Sequence, residues 1–208
     1  MKNLLKCVNN AKTSDLKKLV DQRMKEFEAV GRSDDSGIFS ELCFCILTAN
    51  FTAERGIMIQ KAIGTGFLTL DEKSLAKKLK ALGHRFPNAR ARYIVDARKH
   101  AKGLKAKIFS FKDMLLLREW IVKNIKGLGY KEASHFLRNI GFKDFAIIDF
   151  HIVDFLVKFD MVDEPKSLTP KKYIEIENVL RKIGKAMDHN LAELDLYLWY
   201  CETGKVLK

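Results

Sequence analysis

The stretch from residue 122 to residue 141, VKNIKGLGYKEASHFLRNIG, predicts two helices joined by a very short turn. The first helix ends near Ile125, and the turn is Gly127-Leu128-Gly129, whose glycines permit positive φ and a close approach of the backbone to another molecule. The second helix has an apolar inner face at helical spacing, formed by Ala133, Phe136, Leu137 and Ile140. Exposed amides at such a turn suit a phosphate group. An ordinary turn between helices, with glycine ending the first, fits the pattern as well.

The rest of the chain shows the same helical periodicity. Apolar residues recur three and four positions apart, as at Leu16, Leu19, Val20, Met24 and Phe27, whereas alternation with a period of two is scarce. Caps and glycines predict helix boundaries at four places: a start at Thr13 or Ser14, a helix from Asp71 to Leu82, one from about Ala89 to Gly103, and an end at Gly141. The helical periodicity predicts an all-α fold, a multi-helix bundle in two lobes. No low-complexity stretch marks a flexible linker between them.

The charge balance points to a polyanionic partner. The chain has 38 Lys and Arg against 26 Asp and Glu, a formal net charge of +12. A positive potential over a wide area attracts polyanions, so nucleic acid is the first candidate. No apolar run is long enough to span a bilayer, and the apolar patch near the start is too short for a secretion signal. We therefore expect a cytoplasmic protein without a membrane partner.

The cysteines argue against a metal centre. Cys7, Cys43, Cys45 and Cys201 form no CxxC pair and have no ligand-like spacing, so neither a structural zinc nor an iron–sulfur cluster is expected. Cys43 and Cys45 lie in the apolar segment ELCFCIL, where a free thiol behaves as a small hydrophobe. We predict that both pack in the core as reduced thiols.

A lysine and an aspartate turn the hairpin into a candidate catalytic motif. Lys131 follows the Gly-Leu-Gly turn, and Asp149 lies 18 residues later in the segment FAIIDFHI. This pairing resembles the helix-hairpin-helix DNA glycosylase superfamily, in which a hairpin lysine and an aspartate after a short apolar loop form the catalytic pair. Members that have the lysine cleave the DNA strand as well as removing the base. The resemblance implies that Lys131 and Asp149 are catalytic.

The resemblance extends over most of the chain and implies DNA contacts. The segment ELCFCILTANFTAERG is similar to the superfamily's early helix, after which a polar residue, here Asn50, fills the gap left by an ejected base. The segment ALGHRFPNARARYIVDARK is similar to a second DNA-probing loop, with Phe86 as the wedge. Gly127 and Gly129 would hold a phosphate through main-chain groups without reading the base sequence. A monovalent cation at the hairpin when DNA is bound is the only ion that the resemblance implies, and no cofactor is expected.

The end of the chain narrows the resemblance. The segment LDLYLWYCETGKVLK is similar to the ending of the small archaeal-type 8-oxoguanine DNA glycosylase/lyases, the second class of that activity. In that class a tryptophan and the C-terminal lysine with its free carboxylate help to form the base pocket, which implies Trp199 and Lys208 here. Phe150 departs from the pattern, because a polar or basic residue is more usual after the aspartate. Met187, Asp188 or His189 could also reach the pocket, but a helix-start cap by Asp188 explains that segment equally well.

The resemblance implies one catalytic unit over residues 1–208 with the hairpin at a DNA-binding cleft between two lobes. We expect a central lobe of residues 37–131 and a second lobe of residues 1–36 and 132–208. The expected protein is a monomer that acts on damaged double-stranded DNA as a DNA N-glycosylase and AP lyase. It would turn out and excise 8-oxoguanine, and then cleave the strand by β-elimination through a Schiff base on Lys131. A glycosylase/lyase for oxidised pyrimidines and a non-catalytic helix-hairpin-helix DNA-binding module remain alternatives.

Overall fold

The structure, a computed structural model, describes residues 2–208, and this part of the chain folds into α-helices with no β-strand. The helices are α1 (Lys2–Ala11), α2 (Ser14–Arg32), α3 (Asp35–Thr48), α4 (Ala53–Ile63), α5 (Gly66–Thr69), α6 (Glu72–Ala81), α7 (Pro87–Ala97), α8 (Leu104–Phe109), α9 (Met114–Asn124), α10 (Tyr130–Asn139), α11 (Phe150–Lys158), α12 (Pro170–Ala186) and α13 (Leu191–Thr203). The predicted all-α fold is confirmed. In residues 2–208, no helix is both long and apolar enough to cross a membrane.

Side-chain caps begin several helices where the sequence predicts them. Thr13 Oγ1 accepts the Leu16 N–H at 3.2 Å ahead of α2, and Asp71 Oδ1 accepts the Ser74 N–H at 3.0 Å ahead of α6. The helix expected from about Ala89 starts earlier, because Pro87 occupies its first turn and has a φ already suited to a helix. It ends at Ala97 and continues as a 3₁₀ turn over Arg98–His100 rather than reaching Gly103.

The predicted cap by Asp188 is wrong. Asp188 lies in a turn with φ +55, and Asn190 caps α13 instead. Asn190 Oδ1 accepts the Glu193 N–H at 3.0 Å, while Glu193 Oε2 accepts the Asn190 N–H at 3.2 Å. This reciprocal pair satisfies two N–H groups at once, which a single aspartate two residues earlier cannot do.

Two hydrophobic clusters form the core. The first contains buried residues between Ile38 and Phe145, including Cys43 and Cys45, whose predicted burial is confirmed. The second combines α1 and α2 with buried residues from Ala146 onward. The apolar face of α10 belongs to the first cluster, and the chain passes from one cluster to the other between Phe145 and Ala146. The division into lobes at residue 131 stays a prediction.

The segment in which the chain passes from the first cluster to the second connects two groups of packed helices. α10 packs against α3, α9 and α2, whereas α13 packs against α1, α2, α11 and α12. The segment of residues 145–149 directly precedes α11 and passes from the first cluster to the second. Groups on α10 and at the start of α11 are therefore placed relative to each other by contacts between distant parts of the chain.

Candidate active site

A cavity of about 870 Å³ contains most of the predicted site residues. Its walls come from five places: the segment after α3, the turn before α7, α10, the start of α11, and α13 with the C-terminal tail. Five predicted residues line it together: Asn50, Lys131, Asp149, Trp199 and Lys208. Phe86, Gly127 and Gly129 are not part of the lining.

The hairpin that precedes α10 depends on glycine at one position. Gly127 has φ +88, and a Cβ atom added there would lie 2.5 Å from the ring of Tyr93. Both the left-handed backbone and the packing therefore exclude a side chain. Gly129 has an extended conformation, and its N–H donates to Glu132 Oε2 at 3.1 Å. Leu128, between the two glycines, is buried in the first cluster and fixes the turn to the core.

Lys131 occupies the second position of α10 and reaches the cavity. Its side chain is 32% exposed, and its Nζ lies 3.4 Å from Glu132 Oε1. It lies in the first turn of the helix, where backbone N–H groups have no acceptor within the helix. A partly covered amine on a cavity wall, held by a rigid helix, is suited to nucleophilic attack on a molecule that enters the cavity.

His135 lies one turn after Lys131 and also lines the cavity. It is only 8% exposed, and its Nε2 has no hydrogen-bond partner. Burial, together with the positive charges of Arg138, Lys131 and Lys208, lowers the pKa of His135 well below its ordinary value of 6.5. The imidazole is therefore neutral at neutral pH and adds no further positive charge beside Lys131.

Asp149 lies at the start of α11, which it caps, and also lines the cavity. Its Oδ1 accepts the Ile152 N–H at 3.0 Å, so the carboxylate is held by the helix that it begins. Its other oxygen is not used by this cap. A fixed carboxylate on a cavity wall can stabilise positive charge that develops on a bound molecule.

A buried ion pair lies beside Asp149. Asp195 Oδ2 accepts a hydrogen bond from Arg138 Nη1 at 2.6 Å, and both side chains line the cavity. Burial raises the pKa of the Asp195 carboxyl to about 6; Arg138 opposes this shift and the negative charge of Asp149 adds to it. Arg138 in turn bonds Asn139 Oδ1 through Nε and Nη2, at 3.0 and 2.9 Å.

Lys208 is fixed by its side chain. Lys208 Nζ donates to Glu41 Oε2 at 2.9 Å and to Gln60 Oε1 at 2.6 Å, and it lies 4.3 Å from the centroid of the Phe44 ring. Glu41 is buried, so the pair is shielded from solvent. Anchoring the side chain in this way keeps the end of the chain against the cavity, which Lys208 lines.

Aromatic rings form one edge of the cavity. The ring of Trp199 lies 5.3 Å from that of His151 in an edge-to-face arrangement, and the ring of Phe150 lies 4.0 Å from His151. Phe150 is 67% exposed. The sequence therefore places an apolar ring at the solvent side of the cavity, directly after Asp149, where a polar side chain would be more usual in the related superfamily.

The turn that carries Phe86 lies beside the cavity. Arg85 lines the cavity, whereas the Phe86 ring is partly exposed outside it, with the guanidinium groups of Arg85 and Arg90 at 5.0 and 5.8 Å from its centroid. Asn50, on the facing loop, has φ +56, a conformation in which asparagine is enriched. The two predicted DNA-probing residues thus lie on neighbouring loops at one side of the cavity.

His135, Arg138 and Asp195 line the cavity, although the sequence did not single them out. Only Asp195 had a usable signal, because it lies four residues before Trp199 and therefore on the same helix face. Met187, Asp188 and His189 are not in the cavity lining, and His189 instead lies 3.4 Å from Glu193. Within residues 2–208, no group of three or more His, Cys, Asp or Glu side chains is arranged to hold a metal ion.

The chain is similar to known proteins over its whole length. A family model described as 8-oxoguanine DNA glycosylase matches residues 20–189. An 8-oxoguanine DNA glycosylase/AP lyase of Korarchaeum cryptofilum is 55% identical over 207 residues, which cover 99% of this chain and 98% of that protein.

Two solved structures are similar to this fold. One is the Methanocaldococcus jannaschii 8-oxoguanine glycosylase/lyase in complex with a 15mer DNA containing 8-oxoguanine, with a TM-score of 0.95, 53% identity and 99% of each chain covered. The other is the 8-oxoguanine DNA glycosylase of Thermotoga maritima, with a TM-score of 0.93 and 42% identity, covering 100% of this chain and 99% of that one.

Proposed function

Because the chain belongs to the 8-oxoguanine DNA glycosylase family, we propose that it excises 8-oxoguanine from duplex DNA and then cleaves the strand, with Lys131 and Asp149 as its catalytic residues. It is a bifunctional DNA glycosylase/AP lyase. One observation carries the assignment of residues: a lysine amine and a fixed carboxylate, 18 residues apart in the sequence, line the same cavity. The cavity is large enough to hold a base that has been turned out of the duplex.

The excision step uses both groups. As the bond between the base and C1′ breaks, its electron pair leaves with the base and positive charge develops on the sugar, which the Asp149 carboxylate stabilises. The Lys131 amine, in its deprotonated form, bonds to C1′ through its lone pair. One N–H proton then passes to the ring oxygen O4′ as the C1′–O4′ bond breaks, which opens the sugar ring and leaves a protonated imine. Loss of a proton from C2′ then expels the 3′ phosphate and breaks the strand.

The surrounding residues would bind the DNA duplex and the base that has been turned out of it. The net charge of +12 attracts the duplex, and the main chain of the hairpin of Gly127 and Gly129, at the start of α10, would contact a phosphate. Trp199 supplies a ring face for the extruded base, and Lys208, whose side chain is held by Glu41 and Gln60, supplies a polar part of the wall. Phe86 and Asn50 fill the space that the base vacates.

Trapping with borohydride tests the nucleophile. Borohydride reduces an imine to a stable amine, so wild-type protein mixed with a duplex containing 8-oxoguanine should form a covalent adduct. Lys131→Gln should form none. Lys126→Gln is the matched control, because Lys126 is in the same hairpin but is exposed and lies 3.3 Å from Asp96 instead of lining the cavity. An adduct with Lys131→Gln equal to that of wild type would refute the assignment.

Measurements of base release and of DNA binding distinguish the alternative functions. Removal of Lys208 should reduce the preference for 8-oxoguanine over guanine, and an unchanged preference would contradict a base pocket at the C-terminus. Faster release of thymine glycol than of 8-oxoguanine would instead indicate a pyrimidine-specific enzyme. A binding module would show a steep dependence on salt concentration and would release no base.

A further inference from the structure

The segment that leads to Asp149 is held by side chains instead of by secondary structure. Residues 145–149 belong to no helix or strand. Three successive backbone N–H groups in it donate to side chains of α12 and α13: Ala146 to Glu177 Oε1 (3.2 Å), Ile147 to Asp195 Oδ1 (3.3 Å) and Ile148 to Tyr173 Oη (3.1 Å). The Tyr173 hydroxyl also donates to the Ala146 carbonyl at 2.7 Å. We call Tyr173, Glu177 and Asp195 the loop cradle.

The loop cradle is buried together with the backbone that it holds. All three of its side chains are buried, as are Ala146 and Ile148. A buried backbone N–H without a partner is energetically costly, so each cradle contact strongly favours this one path of the segment. The conformation of the three residues before Asp149 therefore depends on α12 and α13.

The loop cradle is also connected to α10, the helix that carries Lys131. Arg118 forms a paired hydrogen bond to Glu177, at 2.7 and 2.9 Å, and its Nη1 donates to Ser134 Oγ at 3.1 Å. Arg138 donates to Asp195 at 2.6 Å. Ser134 and Arg138 are both on α10, so two buried ion pairs join the Asp149 segment to the helix of Lys131.

We propose that Tyr173, Glu177 and Asp195 are positioning residues that fix the Asp149 carboxylate relative to the Lys131 amine. The proposal rests on the catalytic roles assigned above to Lys131 and Asp149. The two groups come from separate elements, and no regular hydrogen-bond ladder joins those elements directly. The cradle supplies the missing connection, with Tyr173 and Glu177 on α12, Asp195 on α13, and the two arginines on α9 and α10.

The chemistry requires such a connection. Attack by the amine and stabilisation of the sugar cation must occur at the same carbon, and a misplacement of about 1 Å costs on the order of a hundredfold in rate. Binding of DNA through the hairpin and the basic surface does not depend on this separation. The loop cradle should thus affect the rate of the chemical step and leave DNA affinity unchanged.

Tyr173→Phe tests the proposal with the smallest change. It removes the hydroxyl that holds Ile148 N–H and the Ala146 carbonyl, and it keeps the buried ring. We expect the single-turnover excision rate to fall about tenfold or more, with unchanged affinity for the lesion duplex and an unshifted pH profile, because no titrating catalytic group is lost. Tyr197→Phe is the matched control: its ring is equally buried but packs against His189 at 5.0 Å, and its excision rate should equal that of wild type.

A second pair of variants covers the case in which Tyr173→Phe does not fold. Asp195→Asn keeps an acceptor oxygen for the Ile147 N–H, whereas Asp195→Leu does not, and both remove the charge partner of Arg138. Asp195→Asn should excise faster than Asp195→Leu. Equal rates for that pair, or a folded Tyr173→Phe that excises as fast as wild type, would overturn the proposal.

The activity of the wild-type protein in the same experiment distinguishes a failure of the proposed function from a failure of the positioning role. If wild-type protein neither excises the base nor forms an adduct with borohydride, the proposed function fails and the loop cradle has no reaction to position. If wild type is active and the cradle variants are equally active, only the positioning role is refuted.

Discussion

The two sides of the cavity are stabilised in different ways. The catalytic wall, formed by α10, residues 145–149 and α13, is held by the buried pairs Arg118–Glu177 and Arg138–Asp195. The probe wall, formed by residues 48–55 and 83–86, is held by contacts within the first cluster. There His84 Nε2 lies 3.0 Å from the Leu47 carbonyl oxygen, and the His84 ring lies 4.2 Å from that of Phe51.

The difference matches what each wall has to do. In the proposed reaction, the catalytic wall holds Lys131 and Asp149, which come from different parts of the chain, at a fixed separation, and buried ion pairs with defined geometry provide this. In the proposed reaction, the probe wall presents Arg85 and Phe86 to a DNA duplex, and both side chains are exposed. Stability and DNA recognition should therefore respond separately to substitutions in the two walls.

The largest expected effect is on stability in the catalytic wall. Arg118→Met should lower the free energy of unfolding by about 3 kcal/mol, because the buried Glu177 would lose both hydrogen bonds from Arg118 and keep only the more distant Arg181, at 3.5 Å. Chemical denaturation monitored by circular dichroism measures this. Arg85→Ala, in the probe wall, should change stability by less than about 0.5 kcal/mol while weakening DNA binding. Equal destabilisation by both substitutions would contradict the comparison.

A pH effect of intermediate size should arise in the catalytic wall. Burial and the charges of Arg138, Lys131 and Lys208 lower the pKa of His135 in the folded protein. In the unfolded chain the imidazole has its ordinary pKa of about 6.5, so below that pH the unfolded chain binds a proton that the folded protein does not. The free energy of unfolding should therefore fall as pH drops below about 6.5. His135→Gln should remove this part of the pH dependence. The free energy of unfolding of wild type and of His135→Gln should be measured at pH 7.5 and 5.5. An equal decrease in both proteins would contradict the role of His135.

The smallest effect on stability is expected in the probe wall. Phe86→Ala should leave the free energy of unfolding nearly unchanged, because the ring is already partly exposed. Its excision rate should fall about tenfold on a duplex, where a base must be unstacked, and should not fall on a single strand. Phe109→Ala is the control, because Phe109 is exposed but stacks on Phe142 at 5.3 Å, away from the cavity. An equal loss on both substrates would exclude a wedge role.

The sequence predicted some site residues far better than others. Lys131, Asp149, Asn50, Trp199 and Lys208 stand in motifs that resemble a known superfamily, and the structure brings all five to one cavity. Tyr173 and Glu177 gave no such signal, because both lie on an amphipathic helix where their spacing is that of core residues. Arg118 could not be identified from the sequence either, because an arginine in a basic chain is expected at the surface, whereas Arg118 is buried.

What the sequence determined by itself is local. The helices, the cap at Thr13 and the glycine turn before α10 depend on residues within a few positions of one another, so their pattern can be read directly. What only the tertiary structure decided is the placement of Asp149 relative to Lys131. That placement depends on side chains at positions 118, 138, 173, 177 and 195, which meet only when α9, α10, α12 and α13 pack together. Hydrogen bonds and ion pairs between residues so far apart in sequence leave no periodic trace.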